Sequence, residues 1–171
     1  MLWRGARMLR EMVLKNETNK SICYDSGIEQ WLLELMDRFS HSSIVQGHCM
    51  RLLGVLAFGN DKFRRKVGER GVMNSIVAAF KNHLEDATVQ LHVTTALTNL
   101  THNSMENRSR FVELGGVSLL IGMVVLYRND AKLMRQACWA VLSLAGSDVI
   151  CRDIAMSGGD SAIVNAMLQH R

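Results

Sequence analysis

The side chains of this chain that could do chemistry are arranged for gripping rather than for breaking bonds. On a helix, Arg4, Arg7 and Glu11 would share one stripe, as would His48 with Arg51, His92 with Thr95 and Asn99, and Gln136 with Trp139 and Ser143. Each set follows the previous one by 44 residues. Arginine holds a carboxylate through two parallel hydrogen bonds, so the basic end of the series (Arg4, Arg7, His48, Arg51) suits an acidic segment.

Catalytic patterns are missing. The pairs Gly115-Gly116 and Gly158-Gly159 lack the Lys-Ser/Thr that completes a phosphate loop, and no nucleophile elbow surrounds a serine. The six histidines show no HExxH and no metal spacing with cysteine. No catalytic residue, metal, cofactor or small-molecule substrate is expected. Lys62-Phe-Arg-Arg-Lys66 is the densest basic run and could touch phosphate. The simpler reading is the solvated side of a short helix, with Phe63 and Val67 turned inward. His83 and His170 recur at one repeat position, which points to a structural helix ending.

The elements that must carry these residues are helices. Proline is absent, as a long helical chain requires, and 48% hydrophobic with 21% charged residues exclude bulk disorder. Eleven methionines against 6% aromatics imply an adaptable aliphatic core. A net charge of +4 falls short of a dedicated nucleic-acid binder, and no apolar run approaches the roughly 20 residues that span a bilayer. Cys23, Cys49, Cys138 and Cys151 read as free thiols of a reducing compartment. The chain is therefore expected inside the cell, in the cytoplasm, with mitochondrial, ciliary or nuclear sites left open. Three arginines and no acid before Glu11 superficially suit a mitochondrial presequence, but the same residues fit the repeat frame.

That frame comes from one phrase, Glu113-Leu-Gly-Gly-Val-Ser-Leu-Leu-Ile, with looser copies at Asp25, Glu69 and Met156. Aligning them puts Gly27, Gly71, Gly116 and Gly159 in register at intervals of 44, 45 and 43, the mark of a stacked helical array. The apolar spacing predicts a lone helix over 3–16 and then a recurring cycle of short, medium and long helices. The cycle runs 20–25, 30–39 and 44–58; 62–69, 75–83 and 88–101; 108–114, 118–127 and 131–145; then 151–156 and 161–169. Each glycine allows a sharp turn, and Ser43, Asn74, Ser75, Ser118 and Ser161 are expected to cap the helices that follow.

Ala96-Leu-Thr-Asn-Leu100, Glu113-Leu-Gly-Gly-Val117 and Gln136-Ala-Cys-Trp-Ala-Val-Leu-Ser-Leu144 resemble the armadillo repeat, whose third helix reads Ala-Leu-x-Asn-Leu after a Gly-Gly-Ile/Val corner. The resemblance covers essentially the whole chain. It implies an all-α, right-handed armadillo-like α-solenoid of about four three-helix repeats, the first and last incomplete. The units are roughly 1–20, 21–63, 64–107, 108–150 and 151–171, in one domain. It further implies that the third helices line a concave groove, so the four stripes above would face a partner. Nuclear-import adaptors carry Trp and then Asn there in repeat after repeat, to hold a basic peptide. Here only Trp139 and Asn99 match, in different repeats, so an acidic segment with Asn99 holding its backbone is expected instead. The expected function is a non-catalytic protein-protein interaction scaffold. The alternatives are a structural subunit contacting neighbours through its open ends and convex face, and an RNA-binding solenoid.

Overall fold

The computed structural model describes residues 2–169, and the helix ending expected at His170 lies outside them. Among the described residues there are twelve helices and no strand. In order they are α1 (Leu2–Val13), α2 (Glu17–Asp25), α3 (Ile28–Arg38), α4 (Ser43–Ala57), α5 (Asp61–Glu69), α6 (Val72–Asn82), α7 (Ala87–Thr101), α8 (Met105–Glu113), α9 (Gly116–Leu126), α10 (Ala131–Leu144), α11 (Asp148–Met156) and α12 (Gly159–Gln169).

The start of each helix follows from local chemistry, and it corrects two sequence expectations. The short and long helices are capped by a polar side chain one residue before them: Asn16, Ser42, Asn60, Asp86, Ser104, Asp130 and Ser147. These oxygens accept from amides two or three residues ahead, which the first turn cannot satisfy within the helix. Ser42, not Ser43, caps α4. The medium helices α3, α6 and α9 start from left-handed glycines with no side-chain cap, so Asn74, Ser75 and Ser118 do not serve that role.

The glycine register also shifts. The corner glycines with positive φ are Gly27, Gly71, Gly115 and Gly158, which follow one another by 44, 44 and 43 residues. Gly116 and Gly159 instead begin their helices in helical conformation and are buried. A methyl at Gly116 would overlap the Phe111 ring, so the second glycine of the pair serves close packing. The unit boundaries expected after residues 20, 63, 107 and 150 fall inside α2, α5, α8 and α11. The chain breaks instead at the caps just before those helices.

One apolar core runs through the stack. α7 packs between α4 and α10, and α1 lies against the other side of α4. Phe63, Phe80, Phe111, Leu32, Met50, Leu53 and Leu97 are fully buried along it. Hydrogen bonds between neighbouring layers recur at nearly the repeat interval. His83 Nε2 meets Ser40 O at 2.8 Å, Tyr127 Oη donates to Leu84 O at 2.8 Å, and Asn107 Nδ2 donates to Arg64 O at 3.2 Å. Gln46 and Gln90 close the bend before their helices by donating to carbonyls of α3 and α6. Ion pairing adds a further tie: Glu29, with 0% exposure, faces Lys66 Nζ at 2.8 Å and Arg70 Nε at 3.4 Å. Among the described residues no single helix is long and apolar enough to cross a membrane.

Candidate functional site

The four long helices α1, α4, α7 and α10 stand side by side, and their shared face is where the stripes were expected. The structure gathers part of that set. Arg51, His92, Thr95 and Asn99 line a single cavity of about 410 Å³, together with Val55 and Gly54 of α4. His48 lines a smaller neighbouring cavity of about 220 Å³ that shares Arg51 and His92. Arg4, Arg7 and Glu11 border a third, shallower depression on α1 with Trp3, Met8 and Met12. Gln136, Trp139 and Ser143 of α10 line none of these.

Several expected groove groups already have partners. Asn99 Nδ2 donates to Gly54 O at 2.9 Å, so it ties α7 to α4 rather than standing free for a peptide. Thr95 Oγ1 donates back to Leu91 O at 2.7 Å within its own helix. Gln136 Nε2 donates to Thr98 Oγ1 at 3.0 Å, and Ser143 Oγ meets Thr101 Oγ1 at 2.7 Å. Trp139 is 57% exposed. Trp3 stacks on His48 with ring centres 5.2 Å apart, which the spacing of arginines did not suggest.

Sequence reasoning missed the other half of the 410 Å³ cavity: Arg10 of α1, Leu14 just after it, Lys15, Glu17 and Lys20 around the start of α2, and Phe58 after α4. A usable signal existed. Arg10 and Leu14 precede Gly54 and Phe58 by the same 44 residues, one turn beyond the stripe that was followed. Lys20 is buried, at 6% exposure, with Nζ bonded to Glu17 Oε1 at 2.7 Å and set 5.9 Å from the Phe58 ring centre. Arg10 pairs with Glu11 through its terminal nitrogen, while its Nε is buried with no hydrogen-bond partner among the described residues.

The site is strongly cationic, and the titrating groups register it. His92 is pushed down to about 4, first by burial and then by Arg51, Lys132, His48 and Arg10. It is therefore neutral at physiological pH. His48 is lowered by burial, then by Arg51, Arg7 and Arg10. Arg51 is itself lowered by burial and by Arg10 and Arg7, against the opposing effect of Glu11. Such mutual repulsion attracts an anion and disfavours a cation. The basic run on α5 is largely committed elsewhere. Arg64 is buried and donates to Ala57 O at 2.6 Å, and Lys66 faces Glu29. Phe63 and Val67 point inward as expected.

A family model described as "Protein zer-1 homolog-like, C-terminal domain" matches residues 11–144, well over half of the chain. The chain belongs to that family. Every residue of the 410 Å³ cavity except Arg10 lies in the segment matched to the zer-1 homolog-like domain. Armadillo repeat-containing protein 6 of Homo sapiens is 24% identical over 97% of this chain and 36% of its own length. Importin subunit alpha-1b of Oryza sativa subsp. japonica is 28% identical over 54% of this chain and 17% of its own length. The chain thus spans about a third or less of the curated relatives it matches. An engineered protein from the Northeast Structural Genomics Consortium superposes with a TM-score of 0.81 at 23% identity, over 98% of this chain and 72% of that one. A designed armadillo repeat protein gives 0.80 at 18% identity, over 98% and 74%. This zer-1 homolog-like domain is an armadillo-repeat protein, an all-α armadillo solenoid.

Proposed function

We propose that this armadillo domain is a non-catalytic protein-binding scaffold whose groove holds an extended acidic segment of a partner. The observation that carries the reading is the cavity between α1, α2, α4 and α7. Arg10, Lys15, Lys20 and Arg51 line it against one carboxylate, Glu17. Positive potential focused in a cleft raises both the encounter rate and the affinity for an anionic chain. The same charges disfavour a basic peptide, which agrees with the incomplete series of Trp and Asn on the inner helices. Arg4, Arg7 and His48 extend the positive surface along α1 and α4, while Gln136, Trp139 and Ser143 would contact the segment beyond α7.

The test is fluorescence anisotropy with a labelled Asp/Glu-rich peptide, a Lys/Arg-rich control and a single-stranded RNA. The acidic peptide binds, and its affinity falls with salt as paired charges are screened. Charge reversal at Arg7 and Arg51 together weakens it by about tenfold or more, since each tenfold corresponds to about 1.4 kcal/mol. An affinity unchanged by those reversals, or tighter binding of the basic peptide or the RNA, sinks the proposal.

A second reading has its own support, namely that the domain contacts neighbours in a larger assembly through the two ends of the stack. Met8 and Met12 on α1, and Leu142, Met156 and Met167 at the other end, are each about half exposed or more. Apolar side chains left open at the ends of a stack are available for contact with a neighbour. Sedimentation velocity over a concentration series distinguishes this reading, because end-to-end contact gives species larger than the monomer.

A further inference from the structure

The cavity between α1, α2, α4 and α7 is not lined by charge alone. Leu14, Val55 and Phe58 give it an apolar wall. Leu14 is 42% exposed and Phe58 67% exposed, so this wall is not covered by any other part of the described chain. A cleft that only needed to attract carboxylates would gain nothing from such a surface. Apolar area removed from water, by contrast, adds affinity in proportion to what is buried.

Two cations flank the wall. Lys20 is buried, bonded to Glu17 and set close to the Phe58 ring. Arg10 lines the same cavity and pairs with Glu11 through its terminal nitrogen. Cationic rim and apolar wall thus lie within one opening.

We propose that this cavity is an anchor pocket taking one bulky apolar side chain, of Leu or Phe size, from within the acidic segment. Carboxylates flanking that residue are held by Arg10, Lys15 and Arg51. The proposal rests on the acidic-segment reading above and sharpens it. The recognised motif is an apolar residue bracketed by acids, rather than a uniform acidic run. Interfaces commonly concentrate their affinity in one such buried anchor, while the surrounding charges set orientation and encounter rate.

The experiment compares two labelled acidic peptides that differ only at the centre, one carrying Gly and the other Leu, by fluorescence anisotropy on the whole chain. The Leu peptide is expected to bind roughly tenfold tighter or more, from the burial of one such side chain. Phe58→Ala removes exposed wall and should cut that advantage while leaving the fold intact. Val55→Phe fills the pocket and should abolish the advantage, with a circular-dichroism melt confirming that it folds. Arg51→Glu should weaken both peptides alike. If the Gly and Leu peptides bind equally, the anchor is refuted while the acidic groove stands. If the Leu advantage survives both Phe58→Ala and Val55→Phe, the anchor is not in this cavity. If neither acidic peptide binds, the underlying reading fails and the anchor fails with it.

Discussion

Alanine placed at Gly54 and at Gly68 should move the stability of this domain in opposite directions, although both glycines are helical. The intrinsic change is the same at each: Ala in a helix is favoured over Gly by about 0.5–1 kcal/mol, less near a helix end. The surroundings differ. At Gly54 the new methyl would sit 3.5 Å from Ala96 Cα and 3.8 Å from Asn99 Nδ2, ordinary contact that needs no rearrangement. The gain is then unopposed, and Gly54→Ala stabilises by about 0.5–1 kcal/mol. At Gly68 the methyl would overlap Asn107 Oδ1. Asn107 is only 2% exposed, and its Nδ2 donates to Arg64 O at 3.2 Å and to Leu100 O at 2.8 Å. Displacing it forfeits two buried hydrogen bonds worth about 1 kcal/mol each, and the net loss is about 1–2 kcal/mol. For a chain of this size 1 kcal/mol moves Tm by about 2–4 °C. Thermal melts followed by circular dichroism should therefore rise by about 1–4 °C for Gly54→Ala and fall by about 2–8 °C for Gly68→Ala. A lower Tm for Gly54→Ala would show that α4 and α7 have no room between them. An unchanged or higher Tm for Gly68→Ala would show that the Asn107 bonds do not hold α5 to α8.

Two further outcomes follow from buried charge. His92 is pushed down to about 4 in the fold against an ordinary value of 6.5, so between these pH values the unfolded chain binds a proton that the folded chain refuses. Its contribution is fully present above pH 6.5 and is lost as pH falls toward 4, by on the order of 2 kcal/mol once partial exposure is allowed for. Urea midpoints at about pH 7.5 and pH 5 should therefore differ less for His92→Gln than for the parent, and an identical difference in the two proteins would contradict the assignment. Replacing Lys66 and Arg70 together by Met strands the carboxylate of Glu29 at 0% exposure. That double variant should lose about 3 kcal/mol, and adding Glu29→Gln should restore much of it, as read by the urea midpoint. Failure of the third change to rescue would show that the cations act through packing and not through charge.

Much of the fold was legible because it rests on period and cap chemistry, which are local. Interval and helix order needed only the recurrence of glycine and of apolar spacing, and both survive in the structure with shifts of a few residues. Where local reading went wrong, either a neighbour in space or the backbone just before the helix was responsible. Gly115 and Gly116 look alike in the chain, yet one turns the backbone at φ 73° and the other makes room for the Phe111 ring. Ser75 and Ser118 are good capping residues in general, but the left-handed glycine before each helix leaves them inside it rather than at its start.

The site divides along the same line. Arginines and histidines at helical spacing on α1 and α4 already pointed to an acidic partner, since charge and side-chain direction on a helix follow from sequence. Which of those residues share an opening depended on how α1, α2, α4 and α7 meet. That meeting joins Arg10, Lys20 and Phe58 to Arg51 and His92, and it commits Asn99 to the Gly54 carbonyl. Sequence by itself determined the repeat, the helices and the sign of the charge, because each is set within a turn or two of the chain. Only the tertiary structure decided which polar groups are tied to the next layer and where apolar surface is left open, because both depend on contacts between residues about one repeat apart.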